Sequence, residues 1–242
     1  ITKGQDPHTF NPTPKQVEAL GRSKLYFTVG LEFEKQIVAK ISESSLKLQV
    51  VSCITGVERI VMAEHHHHED ESVYHDGDHA EFDPHVWLSP VNLKIMAAEI
   101  AKAIVAVDPG NKTDYTANLD QLIQELDELD QKITTQLQPY SGETFFVFHP
   151  SFGYFAKSYG LNQEAVEVEG KLPTPKQLSH LIDEAKADGV KVIFVQPQFD
   201  SRSGEVIATA IDGEVVQLDA LAEDVRGNLE TIANKISTAL AK

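Results

Sequence analysis

Residues 111–138 read NKTDYTANLDQLIQELDELDQKITTQLQ, and the spacing of their apolar side chains decides the architecture. Leu119, Leu122, Ile123, Leu126, Leu129, Ile133 and Leu137 recur at steps of 3, 1, 3, 3, 4 and 4, the 3.6-residue period of an α-helix. A helix over this whole stretch spans roughly 42 Å, longer than a typical domain helix. Its opposite face is polar, so it reads as a stiff strut across two lobes. Asp108-Pro109-Gly110 ends the helix before it, which is predicted over Val91–Val107 with Ser89 as N-cap and Pro90 at the first helical position.

Both flanks alternate strands with helices. Upstream, Pro14–Leu20 and Phe33–Ser42 read as helices. Leu25–Val29 (LYFTV) reads as a buried strand, and Leu46–Ile54 as a second strand. Downstream, strands are predicted at Phe145–Phe148, Ala165–Val168, Val190–Val195 and Glu214–Leu218. Helices are predicted at Gly153–Ser158, Pro175–Ala187, Glu205–Ile211 and Asn228–Leu240. The run VKVIFV at 190–195 is apolar at every position but Lys191, as suits a strand covered on both faces of a parallel sheet. The expected fold class is α/β, with two lobes joined by one long rigid helix, each lobe a mostly parallel sheet flanked by helices. The N-terminal lobe takes 1–110, the linking helix 111–138 and the C-terminal lobe 139–242.

The chain has 242 residues, with 21 Lys plus Arg against 37 Asp plus Glu, a net charge of −16. Such a surface repels phosphates, which argues against nucleic acid or an anionic membrane as partner and suits cations. A single cysteine, Cys53, excludes an internal disulfide and any Cys₄ or Cys₂His₂ zinc site. It lies in a predicted strand and reads as a small buried hydrophobe. No apolar run reaches the ~18 residues of a membrane-spanning helix.

The charge is concentrated. Residues 64–83 read EHHHHEDESVYHDGDHAEFD, with eight acids, no Lys or Arg, and six of the 10 histidines. This stretch has no hydrophobic period and reads as a loop. His65, His66, His67, His68, His75 and His79 would form a weak, fast-exchanging collector of borderline cations, since imidazole favours zinc, copper or nickel and the carboxylates raise the local cation concentration. A plain solvated loop is the alternative.

Three further histidines share a context. His8 lies in Asp6-Pro7-His8, His85 in Asp83-Pro84-His85, and His149 in Phe148-His149-Pro150. Each adjoins a proline, which fixes the backbone, and His149 follows a predicted strand, where open α/β sheets bind ligands. Asp219 ends the last predicted strand in the same way. Neutral imidazoles with a carboxylate or water complete a tetrahedral zinc site. A single histidine at a strand end more often caps or packs, so the residues alone leave both readings open. His180, among Leu178, Leu181 and Ile182, reads as a packed or surface histidine. Trp87, Phe152 and Tyr154 would either wall the site or fill the core, and Arg202 is a candidate partner for Asp219.

Four motifs occur in one order: Gly4-Gln5-Asp6-Pro7-His8-Thr9-Phe10, Asp83-Pro84-His85-Val86-Trp87-Leu88-Ser89-Pro90, Phe148-His149-Pro150-Ser151-Phe152-Gly153-Tyr154 and Ile193-Phe194-Val195-Gln196-Pro197-Gln198-Phe199. Together they resemble the metal-binding solute receptors of bacterial ABC transporters, the zinc and manganese uptake group. The resemblance covers nearly the whole chain. It implies a metal held between two lobes by His8, His85 and His149, with Asp219 at the fourth, carboxylate position, which water may fill instead. Manganese receptors of the group usually carry Glu where this chain has His149, and zinc members carry an acidic His-rich loop. The implied cargo is therefore Zn²⁺, with a manganese or iron receptor or a metal-dependent surface adhesin as alternatives. The implied partner is an ABC permease. The implied location is the periplasm, or a lipid anchor outside the cytoplasmic membrane, and the implied state is a monomer that catalyses no reaction. No His-Glu-x-x-His motif of a zinc hydrolase is present. Relatives carry a strand, a helix and a second strand before the first motif, where three residues stand here, so the first strands of the N-terminal lobe are expected to be missing. Because imidazoles must be deprotonated to bind, affinity should fall steeply below about pH 6.

Overall fold

The computed structural model describes residues 5–43, 48–62, 82–167, 173–199 and 202–242. The His-rich stretch, with His65, His66, His67, His68, His75 and His79, lies outside them. The chain forms two compact units, 1–58 with 89–131 and 59–88 with 132–242. Among the described residues, 59–62 and 82–88 group with the second unit.

In the first unit, β1 (Leu25–Thr28), α2 (Glu32–Glu43) and β2 (Gln49–Ser52) form a βαβ element, preceded by α1 (Pro14–Leu20). The strands pair in parallel from Leu25↔Gln49 to Thr28↔Ser52. Thr13 starts α1 with a capping box to Gln16, and Pro14 takes the first turn, where no backbone donor is needed. Ile37 and Leu48 form a small core with Leu20, Tyr26, Phe33 and Val50 around it. β1 is half-buried along its length rather than buried as LYFTV suggests, because among the described residues it pairs with β2 alone. α3 (Pro90–Val107) packs against these strands, and α4 (Lys112–Leu137) follows within one residue at each end of its predicted span.

The turn into α2 shows a device the sequence reading missed. Gly30 has φ +97°, and the Glu34 carboxylate accepts the backbone N–H groups of Val29, Gly30 and Leu31. Burial pushes the Glu34 carboxyl up, against the pull of those three bonds. Cys53 is 1% exposed, and burial first, then the charges of Glu34 and Glu99, push its thiol up to about 11. The thiolate fraction near neutral pH is then roughly a hundredfold below that of an exposed thiol. Iodoacetamide should alkylate Cys53 in the native protein at least that much more slowly than in the guanidinium-unfolded chain. Equal rates would show that the thiol is accessible.

In the second unit, β3 (Thr144–Val147), α5 (Gly153–Tyr159), β4 (Asn162–Ala165), α6 (Pro175–Ala187), β5 (Val192–Val195), α7 (Arg202–Ala210), β6 (Glu214–Gln217) and α8 (Val225–Leu240) alternate along the chain. The sheet order is β4-β3-β5-β6, with every neighbouring pair parallel. All four residues of β5 are buried, as its apolar run requires. Phe146, Phe148, Val166, Ile193, Val195 and Ile207 are among the buried core, most of it from the sheet and its flanking helices. β4 begins three residues earlier than predicted. Among the described residues it is one of the sheet's two outer strands, so polar Asn162, Gln163 and Glu164 are tolerated there, whereas the apolar pattern of Ala165–Val168 draws the prediction downstream. No helix among the described residues is long and apolar enough to cross a membrane.

Candidate metal centre

The strand order places a switch point between β3 and β5. The chain leaves β3 for β4 on one side, then returns to β5 on the other. Crevices at the carboxyl ends of strands flanking such a point are where open α/β sheets bind ligands. His149 follows β3, Glu167 follows β4, Gln196 follows β5 and Asp219 follows β6.

His149 is fixed on several sides. Gln196 spans the switch point. Its Oε1 accepts the His149 N–H at 3.1 Å, and its Nε2 donates to the His149 carbonyl at 2.6 Å. Past the end of β4 the chain still tracks β3, with Val166 N–H bonded to Val147 O and Glu167 N–H to Phe148 O. This carries Glu167 beside the imidazole, where its two carboxylate oxygens lie 3.1 and 3.2 Å from His149 Nδ1. Phe199 stacks on the imidazole, with ring centroids 4.5 Å apart.

His85 is built by its own tripeptide. Asp83 Oδ1 accepts the His85 backbone N–H at 2.8 Å, a turn that Pro84 stiffens, and the same oxygen meets His85 Nδ1 at 2.7 Å. Both side chains are buried. Gly153 makes this possible, because a Cβ there would lie 2.6 Å from Asp83 Oδ2. Trp87 sets its ring edge-on to His85 and donates its Nε1–H to Ala220 O. Tyr154 is buried, its hydroxyl accepts the Ile60 N–H, and burial pushes it up. Phe152 is fully buried and serves the core.

These two histidines lie together. Their ring centroids are 5.3 Å apart, and each offers a ring nitrogen within 4.8 Å of the other's. A carboxylate facing Nδ1 can accept a hydrogen bond from that nitrogen, which leaves Nε2 for a metal, the arrangement of most metal-binding imidazoles. Two such nitrogens suit a borderline divalent cation.

His8 belongs to the first unit and is exposed. Its tripeptide folds as that of His85 does, with the His8 N–H donating to Asp6 Oδ1 at 2.8 Å, and Thr9 Oγ1 donating to Asp6 Oδ2. Phe10 packs edge-on against Phe33 of α2. Asp219 is half-buried, and its Oδ1 accepts from Gln198 Nε2 and the Leu221 N–H, both at 2.9 Å. Arg202 opens α7 with an exposed side chain. His180 is on the surface and pairs with Glu184 one turn on. Glu167 was missed. The predicted strand Ala165–Val168 holds it inside the strand, whereas β4 ends at Ala165 and leaves Glu167 past the strand end.

A family model described as ZnuA, zinc-uptake complex component A, periplasmic, matches residues 1–240. The chain is 31% identical over 227 residues to the high-affinity zinc uptake system protein ZnuA of Bacillus subtilis (strain 168), covering 91% of this chain and 70% of that protein. It is 26% identical over 262 residues to the manganese ABC transporter substrate-binding lipoprotein PsaA of Streptococcus anginosus, covering 98% of this chain and 81% of that protein. A crystal structure of ZnuA superposes with a TM-score of 0.89 at 38% identity, covering 99% of this chain and 88% of that one.

Proposed function

Because this chain belongs to the ZnuA family of periplasmic zinc-uptake components, a group of metal-binding solute receptors, we propose that it captures Zn²⁺ outside the cytoplasmic membrane and delivers it to an ABC permease. It performs no reaction on its cargo. The observation that carries the reading is the buried pair His85 and His149, each with Nδ1 held by a carboxylate. His8 supplies the third imidazole, and Asp219 or a water the fourth position. The Asp-Pro-His turn supports His8, since the same local fold presents His85. Imidazole nitrogens favour Zn²⁺, whereas Mn²⁺ prefers more oxygen ligands. The His-rich stretch acts as a secondary, weak collector ahead of the tight site.

Calorimetric titration of the metal-free protein should give one tight Zn²⁺ per chain and Mn²⁺ binding at least about tenfold weaker. A chain lacking residues 64–81 should keep the tight site and lose weak additional binding. Tighter Mn²⁺ than Zn²⁺ would overturn the choice of cargo, and loss of the tight site with the deletion would overturn the division of roles.

A further inference from the structure

Among the described residues, Glu167 is a buried carboxylate with no Lys or Arg partner. Its side chain is 7% exposed, and among the described residues its ion-pair partner is His149 rather than a Lys or Arg. An isolated carboxylate in such a place is costly unless it is hydrogen-bonded and its charge is balanced. Both oxygens face one nitrogen, His149 Nδ1, and the backbone that carries the residue is locked to β3 through Val166 and Glu167. Asp83 stands to His85 in the same relation. Two buried acids, each behind an imidazole, supply the charge that a bound dication would neutralise.

We propose that Glu167 is a positioning residue for the cargo metal: it holds His149 as the Nδ1–H tautomer, so that Nε2 carries the lone pair, and leaves a negative charge behind the ring. This rests on the metal-receptor reading above. A carboxylate can only accept from Nδ1–H. A glutamine amide in its place can also donate to Nδ1, which moves the proton to Nε2 and removes the coordinating lone pair. Replacing Glu167 with glutamine therefore changes almost no volume yet changes the chemistry of the ring.

The test is a long-range ¹H–¹⁵N correlation of the histidine rings in metal-free protein, paired with Zn²⁺ titration. The native protein should show His149 as the Nδ1–H tautomer. In Glu167→Gln the Nε2–H form should appear, and the Zn²⁺ dissociation constant should rise roughly 10- to 100-fold. Glu167→Ala should weaken Zn²⁺ binding similarly. An Nε2–H tautomer in the native protein would overturn the proposal, as would Zn²⁺ affinity within twofold of native in both variants. The tautomer is read without metal, so it decides the role of Glu167 even where a variant folds poorly. Absence of Zn²⁺ binding by the native protein would instead count against the proposed cargo.

Discussion

Zn²⁺ binding by His149→Ala is expected to be weaker by a factor of roughly 100 to 1,000. Tight protein zinc sites are worth about 10–16 kcal/mol, so each of three or four ligands carries roughly 3–4 kcal/mol. His149 is also the best-anchored of the candidate ligands, with Glu167 on Nδ1, Gln196 on its backbone and Phe199 across its ring. Its removal therefore loses an oriented nitrogen. His85→Ala should lose a similar amount, since Asp83 orients that ring in the same way. His180→Ala serves as the control: it is exposed on α6, paired with Glu184, and should leave affinity unchanged. Competition titration with a chromogenic zinc chelator reads all three. Native affinity in His149→Ala would place the tight site elsewhere in the chain.

Much of the fold is legible because it rests on local periodicity. The apolar steps from Leu119 to Leu137 predict α4 to within a residue at each end, and the run at 190–195 predicts a strand with no exposed face. β4 was misplaced because an outer strand obeys its pairing with β3 more than its own hydrophobicity, and that pairing is not local. The candidate site divides along the same line. The tripeptide Asp-Pro-His folds into the same turn at 6–8 and 83–85, a local outcome that its sequence announces. At 83–85 the aspartate also reaches the ring, in a buried place where only a glycine at 153, distant in sequence, leaves room for its carboxylate. Glu167 was hidden for a similar reason. Its value comes from lying beside His149, and that follows from the order of strands in the sheet rather than from any motif around it.

The strand order also makes Gln196 the side chain on which the position of His149 depends, and Gln196→Leu is expected to destabilise the protein by about 2–5 kcal/mol. Gln196 is 1% exposed at the end of β5 and bridges the switch point by bonding both the N–H and the carbonyl of His149. Leucine matches its bulk but offers neither bond, and each buried backbone group that loses its partner costs about 1–3 kcal/mol. Urea unfolding of metal-free protein measures this directly. Gln196→Glu separates polarity from geometry. A carboxylate can still accept the His149 N–H, but it cannot donate to the carbonyl, and it sets a negative oxygen against another acceptor. Gln196→Glu should therefore be at least as destabilising as leucine, although it is nearly isosteric with the native residue. The loss should extend to binding, because the His149 ring is carried on the backbone that Gln196 clamps. The Zn²⁺-induced rise in unfolding midpoint should shrink in both variants, as weaker binding adds less stability at a given free-metal concentration. Native stability in Gln196→Leu would mean that water takes over both bonds. In that case the imidazole owes its position to Glu167 and Phe199, and the stability of the β3–β5 junction would have to come from the sheet alone.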